Sequence, residues 1–218
     1  MKCPLSIFVF AALSVSTVAP GALAGPWDDD PARVHVALRS GMRFVEDAGF
    51  DVISEAPFHA MGQVEVSAGL TPSWWLGLSF GGGAVMDTVH DDIDTRFASQ
   101  TLQLYGEYRH HLLPALVAFG RLGPEVSWTT VSLDTGTRTL EQDDWTLGVH
   151  AALGLEFLPV HGSIIQGLRD PGDDFGFGVT VAATYERLLP LDLTAGGTTL
   201  GRLDPSGPGW LLGMALQF

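Results

Sequence analysis

Eight separate stretches of this chain alternate apolar and polar residues with a period of two. That pattern gives a strand two chemically different faces, and no helix can satisfy it. Val34, Val36, Leu38, Met42 and Phe44 oppose His35, Arg39 and Arg43. Val64, Val66 and Ala68 oppose Gln63, Glu65 and Ser67. Trp74, Leu76, Leu78 and Phe80 oppose Gly77 and Ser79. The fourth stretch sets Leu102, Leu104 and Tyr108 against Gln103, Tyr105, Glu107 and Arg109. The fifth sets Leu122, Val126 and Trp128 against Arg121 and Glu125. In the sixth, Trp145 to Phe157, the opposite face holds Thr146, His150 and Glu156. Phe177 to Tyr185 faces away from Thr180, Thr184 and Glu186, and Trp210 to Phe218 away from Gly213 and Gln217. Each stretch has about the 9–11 residues that a tilted strand needs to cross a bilayer.

The connections alternate in kind. Thr71-Pro72-Ser73 and His111 to Pro114 are tight, whereas residues near 45–60, 87–98, 130–144 and 189–209 read as long polar or Gly/Pro-rich loops. Short turns at one end and long loops at the other is the layout of a transmembrane β-barrel. Residues 158–174 break the rule: they lie on the short-turn side and are too long, with a short helix expected near 163–168.

The N-terminus reads as an address. Lys2 precedes an apolar run from Leu5 to Ala19, and Ala22-Leu23-Ala24 is a small-x-small cleavage site. Residues 1–24 are therefore expected to be a secretory signal peptide, and 25–218 the barrel, with 25–32 a short periplasmic leader. The signal carries away the only cysteine, Cys3, and the only lysine. That leaves 10 arginines against 25 acids, where the whole chain has a formal net charge of −14. A disulfide scaffold is excluded, and so is nucleic-acid binding by charge, because a polyanion would be repelled.

The alternation alone permits a soluble sandwich with its apolar face inside. Two features favour lipid. Aromatic residues fall at the ends of the apolar face: Trp74, Tyr108, Phe157, Phe177 and Phe218 at one rim, and Phe44, Trp128, Trp145, Tyr185 and Trp210 at the other. Two belts suit the two water–lipid boundaries. The opposite face mixes charge with glycine, at Gly41, Gly77, Gly123, Gly154 and Gly213 among others. A narrow eight-stranded interior has room for long side chains only where others are absent.

The final stretch, with Trp210, Leu212, Met214, Leu216 and a terminal Phe218, resembles the C-terminal signal of bacterial outer-membrane β-barrel proteins. With the signal peptide and eight strands, the chain resembles the small eight-stranded barrels of the OmpA and OmpW type, without the peptidoglycan-binding domain of the former. Leu216 departs from the aromatic residue often found third from the end. The resemblance implies an all-β fold, an eight-stranded antiparallel transmembrane barrel in a Gram-negative outer membrane. It also implies outer-membrane lipid and lipopolysaccharide as neighbours, and assembly machinery that recognises the last strand. It does not indicate an oligomeric state.

Candidate functional residues lie on the inward face. Arg39, Arg43, Arg109 and Arg121 share it with Glu65, Glu107, Glu125, Glu156 and Glu186. Near balance in a low-dielectric interior calls for a paired network. Two readings follow, a polar plug that fixes register or a narrow passive channel. His35 and His150 point inward as hydrogen-bond partners or as a pH gate. Acids at 46, 47, 51, 55, 87, 91, 92, 94, 134, 141, 143 and 144 make the loops acidic, which permits ligand, cation or surface-partner binding there. Asp91 to Asp94 lack the spacing of a calcium loop. No Ser-His-Asp set, phosphate loop, zinc spacing or paired-carboxylate motif is present, so neither catalysis nor a cofactor is expected. A secreted soluble β-sandwich is the alternative outside the membrane class.

Overall fold

The computed structural model describes residues 34–47, 50–51, 53–89, 93–113, 115–137, 139–161, 176–195 and 198–217. Eight strands form a closed antiparallel ring: β1 (Val34–Phe44), β2 (Phe58–Gly69), β3 (Trp74–Val89), β4 (Ile93–Leu113), β5 (Leu116–Asp134), β6 (Thr139–His161), β7 (Gly176–Leu188) and β10 (Gly207–Gln217). Each pairs with its sequence neighbour in the ring, and β1 pairs with β10 to close it, from His35↔Gln217 to Arg43↔Gly209. Two further strands, β8 (Leu191–Ala195) and β9 (Thr198–Leu203), form a separate ribbon between β7 and β10. The expected signal peptide, the leader, the short helix near 163–168 and Phe218 lie outside the described residues.

The two faces are sorted as the alternation requires. The outward side chains are apolar and remain uncovered by protein: Leu153 is 72% exposed, Leu122 64%, Trp145 60% and Leu38 56%. A continuous apolar band of this extent on a water-soluble protein would drive association, whereas in a bilayer it is the solvated surface. The aromatic residues bound the band. Trp74 and Tyr108 are register partners with rings 5.1 Å apart at the end of the tight turns. At the opposite end Trp128 and Trp145 are partners, as are Phe44 and Phe58 at 6.0 Å. Phe58, which the alternation from Gly62 to Leu70 does not reach, belongs to this rim as well.

Three of the expected long loops are corrected. Residues 87–98 and 130–144 are mostly strand: β3 and β4 pair continuously to Val89↔Ile93, and β5 and β6 to Asp134↔Thr139. The 189–209 stretch contains the β8–β9 ribbon. Threonine, valine and alternating acids build a solvated sheet as readily as a loop. The fourth, expected over 45–60, ends at 57 because Phe58 already opens β2, and its described residues are irregular but not simply polar. Val45, Phe50 and Ile53 are buried with Phe97, Val131 and Leu203, capping the barrel at its hairpin end. Ser54 Oγ and the Glu55 N–H both donate to Asp87 Oδ2 at 3.0 Å, tying this segment to β3.

Candidate functional site

The inward face forms a filled column of charge, and Arg39 is among its fully buried side chains at 2% exposure. At the tight-turn end, Glu156 Oε2 receives Arg109 Nη2 at 2.5 Å and lies 3.1 Å from His35 Nε2. Glu107 lies 3.6 Å from Arg109 Nε. One layer further in, Glu65 Oε1 accepts from both Arg39 Nη1 at 2.9 Å and Arg121 Nη1 at 2.5 Å. The first arginine stands on the neighbouring strand and the second comes across the lumen. The next layer is neutral at its heart: Gln63 donates to Ser79 Oγ at 2.7 Å and to Gln103 Oε1 at 3.0 Å. Gln103 in turn reaches Glu186 at 3.5 Å, and Glu186 pairs with Arg43. His59, Phe50 and Phe97 close the column at the hairpin end, with ring centroids 5.3–6.5 Å apart.

Every member of the expected lumen set, Arg39, Arg43, Glu65, Glu107, Arg109, Arg121, Glu125, His150, Glu156 and Glu186, is buried on the inward side. His35 is a partner of Glu156, and His150 lies beside Tyr105 with ring centroids 6.3 Å apart. The bonded groups make three clusters stacked along the barrel axis, and both oxygens of the buried Glu125 lie beside them without a hydrogen-bond partner among the described residues.

The sequence reading missed the aromatic supports of this network. Trp75 lies 5.0 Å under the Arg109 guanidinium. Phe119 lies 5.1 Å from that of Arg39 and 5.4 Å from that of Arg121. Tyr105 supports Arg121 from another side at 5.0 Å. Such contacts stabilise a desolvated cation by about 2 kcal/mol. Glycine makes space for two of these rings. Tyr105 pairs with Gly77 and Phe119 with Gly154. A Cβ on either glycine would come within 2.4 Å of the partner ring. An inward aromatic opposite a glycine on the next strand was the available signal.

Outside the apolar band, the acidic residues do not gather into one site. Among the described residues no group of three or more metal-ligating side chains is arranged to hold an ion. Asp87, beyond the band, is held below its ordinary range because the Glu55 N–H, the Ser54 hydroxyl and the Thr88 N–H all favour its carboxylate. An open groove of about 620 Å³ lies on the outer wall, lined by Phe80, Gln100, Trp128, Thr130, Asp143 and Trp145 among others.

No protein-family model and no curated protein matches the chain. Several solved structures do. Ail, the attachment invasion locus protein of Yersinia pestis, is 14% identical with a TM-score of 0.50, over 86% of this chain and 97% of that one. The outer membrane protein OprG of Pseudomonas aeruginosa is 12% identical with a TM-score of 0.49, covering 86% and 95%. Neisserial surface protein A is 9% identical with a TM-score of 0.46, covering 86% and 98%. At 14% identity the likeness to Ail shows the fold alone, an eight-stranded antiparallel barrel.

Proposed function

We propose that this chain is an exported outer-membrane protein of a Gram-negative cell. In this reading its barrel is a closed, non-conducting scaffold that carries a folded hairpin platform at the cell surface. The observation that carries the proposal is the Glu65 cluster. One carboxylate bridges Arg39 and Arg121 across the lumen, with all three side chains at most 1% exposed. A conducting path needs mobile water and ions past this point, and opening one would break two desolvated ion pairs. The eight-stranded interior is just wide enough to be filled by side chains, which supports the plug over the passive channel.

The hairpin end supports the second half of the reading. The β3–β4 and β5–β6 hairpins run past the aromatic rim as regular sheet. The Phe50–Ile53–Phe97–Val131–Leu203 cluster fixes them to the barrel mouth. Loops that carry function on rigid scaffolds present it in this way, so recognition belongs to this platform and its rim and not to the lumen.

Single-channel recording in a planar bilayer tests the proposal. Folding is confirmed in the same preparation by the mobility difference between unboiled and boiled samples. A silent bilayer is expected from the folded protein. Discrete conductance steps that change in Arg121→Ala would replace the plug with a channel.

A further inference from the structure

The outer wall at the hairpin-end rim differs from the rest of the belt. Across β3 to β6 the outward residues follow one another in register rows. Phe80 and Leu102 belong to the apolar band. The next row holds Gln100, Trp128 and Trp145, and the one beyond it Ala98, Thr130 and Asp143. Two tryptophans on adjacent strands thus stand side by side, 47% and 60% exposed. The small Ala98 and Thr130 beside them leave the groove of about 620 Å³, within the range of small-ligand sites.

The polar lining is specific. Asp143 Oδ1 accepts from Thr130 Oγ1 at 2.6 Å, which orients the carboxylate and leaves its other oxygen for a ligand. The Asp144 carboxylate accepts from the Trp145 N–H at 2.8 Å. The Gln100 amide, one step along the row, supplies both a donor and an acceptor. No arginine or lysine lines the groove, so it does not suit a phosphate.

Two exposed indole rings beside a carboxylate and an amide, without cationic groups, match the chemistry of a sugar ring. Its C–H face packs on an aromatic plane, and its hydroxyls donate to carboxylate and amide oxygens. The groove opens below onto Phe80 and the lipid-facing wall, and above onto the solvated hairpins. A ligand seated here therefore has its apolar part in the bilayer and its polar part at headgroup level. We infer that the Trp128–Trp145–Asp143 groove binds the sugar headgroup of an outer-leaflet glycolipid. The inference rests on the membrane placement proposed above.

The test uses the full mature chain refolded in phosphatidylcholine nanodiscs with and without purified lipopolysaccharide. Binding is read from the shift that lipopolysaccharide produces in the urea unfolding midpoint, followed by gel mobility, and folding from the boiled-to-unboiled mobility shift in every sample. Asp143→Asn and Gln100→Ala lie outside the lumen network and should fold as wild type. Each should weaken lipopolysaccharide binding about threefold to tenfold, and Trp128→Ala with Trp145→Ala more than tenfold. Trp210→Ala, a belt residue on another part of the wall, should leave binding unchanged. Equal losses from Trp210→Ala and the Trp128/Trp145 pair would reduce the groove to ordinary belt and overturn the inference, as would wild-type binding by Asp143→Asn. Equal binding of the water-soluble core oligosaccharide would overturn the assignment to a lipid-borne sugar. A chain that stays soluble and folded without lipid would instead refute the membrane reading itself.

Discussion

Replacing Glu65 by alanine probes the plug at its hub. Glu65 Oε1 is bonded to Arg39 at 2.9 Å and to Arg121 at 2.5 Å, and the carboxylate is fully buried. Removing one partner of a buried pair costs about 3–5 kcal/mol, chiefly through the charge left uncompensated. Glu65→Ala strands two guanidiniums. Phe119 and Tyr105 face them at 5.0–5.4 Å in the wild type and in the variant alike, so these contacts cancel in the difference. The loss should therefore be at least about 3–5 kcal/mol. Arg121→Met is the informative contrast. It leaves Glu65 bonded to Arg39, so the remaining charge keeps a partner, and the expected loss is about 1–3 kcal/mol, the cost of an incompletely satisfied polar group. The assay is reversible urea unfolding in phosphatidylcholine vesicles, followed by tryptophan fluorescence and by gel mobility. A loss below about 1 kcal/mol for Glu65→Ala, or one smaller than for Arg121→Met, would refute the hub and with it the ion-pair account of the plug.

Three further outcomes follow from the same geometry. Val149→Arg places a charge on the lipid-facing side of β6, where Val149 is 52% exposed. It should cost about 2–4 kcal/mol in vesicle unfolding, and unchanged stability would reverse the facing of that strand. Gly77→Ala puts a Cβ 2.4 Å from the Tyr105 ring. It should cost about 1–3 kcal/mol as overpacking, relieved by Tyr105→Leu in the double variant, and simple additivity would show that the two positions do not meet. Asp87 is held below its ordinary pKa of 3.8, first by the Glu55 N–H. A lowered folded-state value means that its grip on the 53–57 segment is complete above about pH 4 and is lost as the pH falls through that folded value. Amide exchange at Glu55 should accelerate over that acid range, after correction for the intrinsic rate, and in Asp87→Ala should be fast throughout; no difference between variant and wild type would remove the latch.

The faces of all eight barrel strands were legible because a period of two assigns them without knowledge of partners. Arg39, Glu65, Arg121 and Glu156 could be placed inward on that basis alone. Their pairing could not. Arg39 and Glu65 meet because β1 and β2 pair with Arg39 opposite Gln63. Arg121, 56 residues further on, reaches the same oxygen across the lumen. That contact depends on the register of several strand pairs at once, which local pattern does not encode. Trp75 and Phe119 escape the pattern because an inward aromatic in a charged column looks like a lapse in alternation until the register partners Gly69 and Gly154 are known. The cap escaped for a related reason. Phe50 and Ile53 sit among acids in a segment without strand periodicity, and only the packing on Phe97 and Val131 reveals them as apolar core. The extended hairpins resemble loops in sequence because Asp87, Asp94 and Asp134 suggest solvent, while the other face of the same strands, with Phe97 and Val131, is buried under the cap.

The central claim is that the apolar face meets lipid and the charged face is enclosed. Residues from Gly25 onward contain no cysteine, so single cysteines can be introduced at the outward β6 positions Leu147, Val149, Ala151, Leu153 and Leu155 and spin-labelled in vesicles. Collision rates with oxygen, which concentrates in the bilayer core, should exceed those with a water-soluble nickel chelate at all five. The excess should peak near Ala151, midway between Trp145 and Phe157. Faster collisions with nickel along the whole series would place this face in water and contradict the barrel's membrane placement.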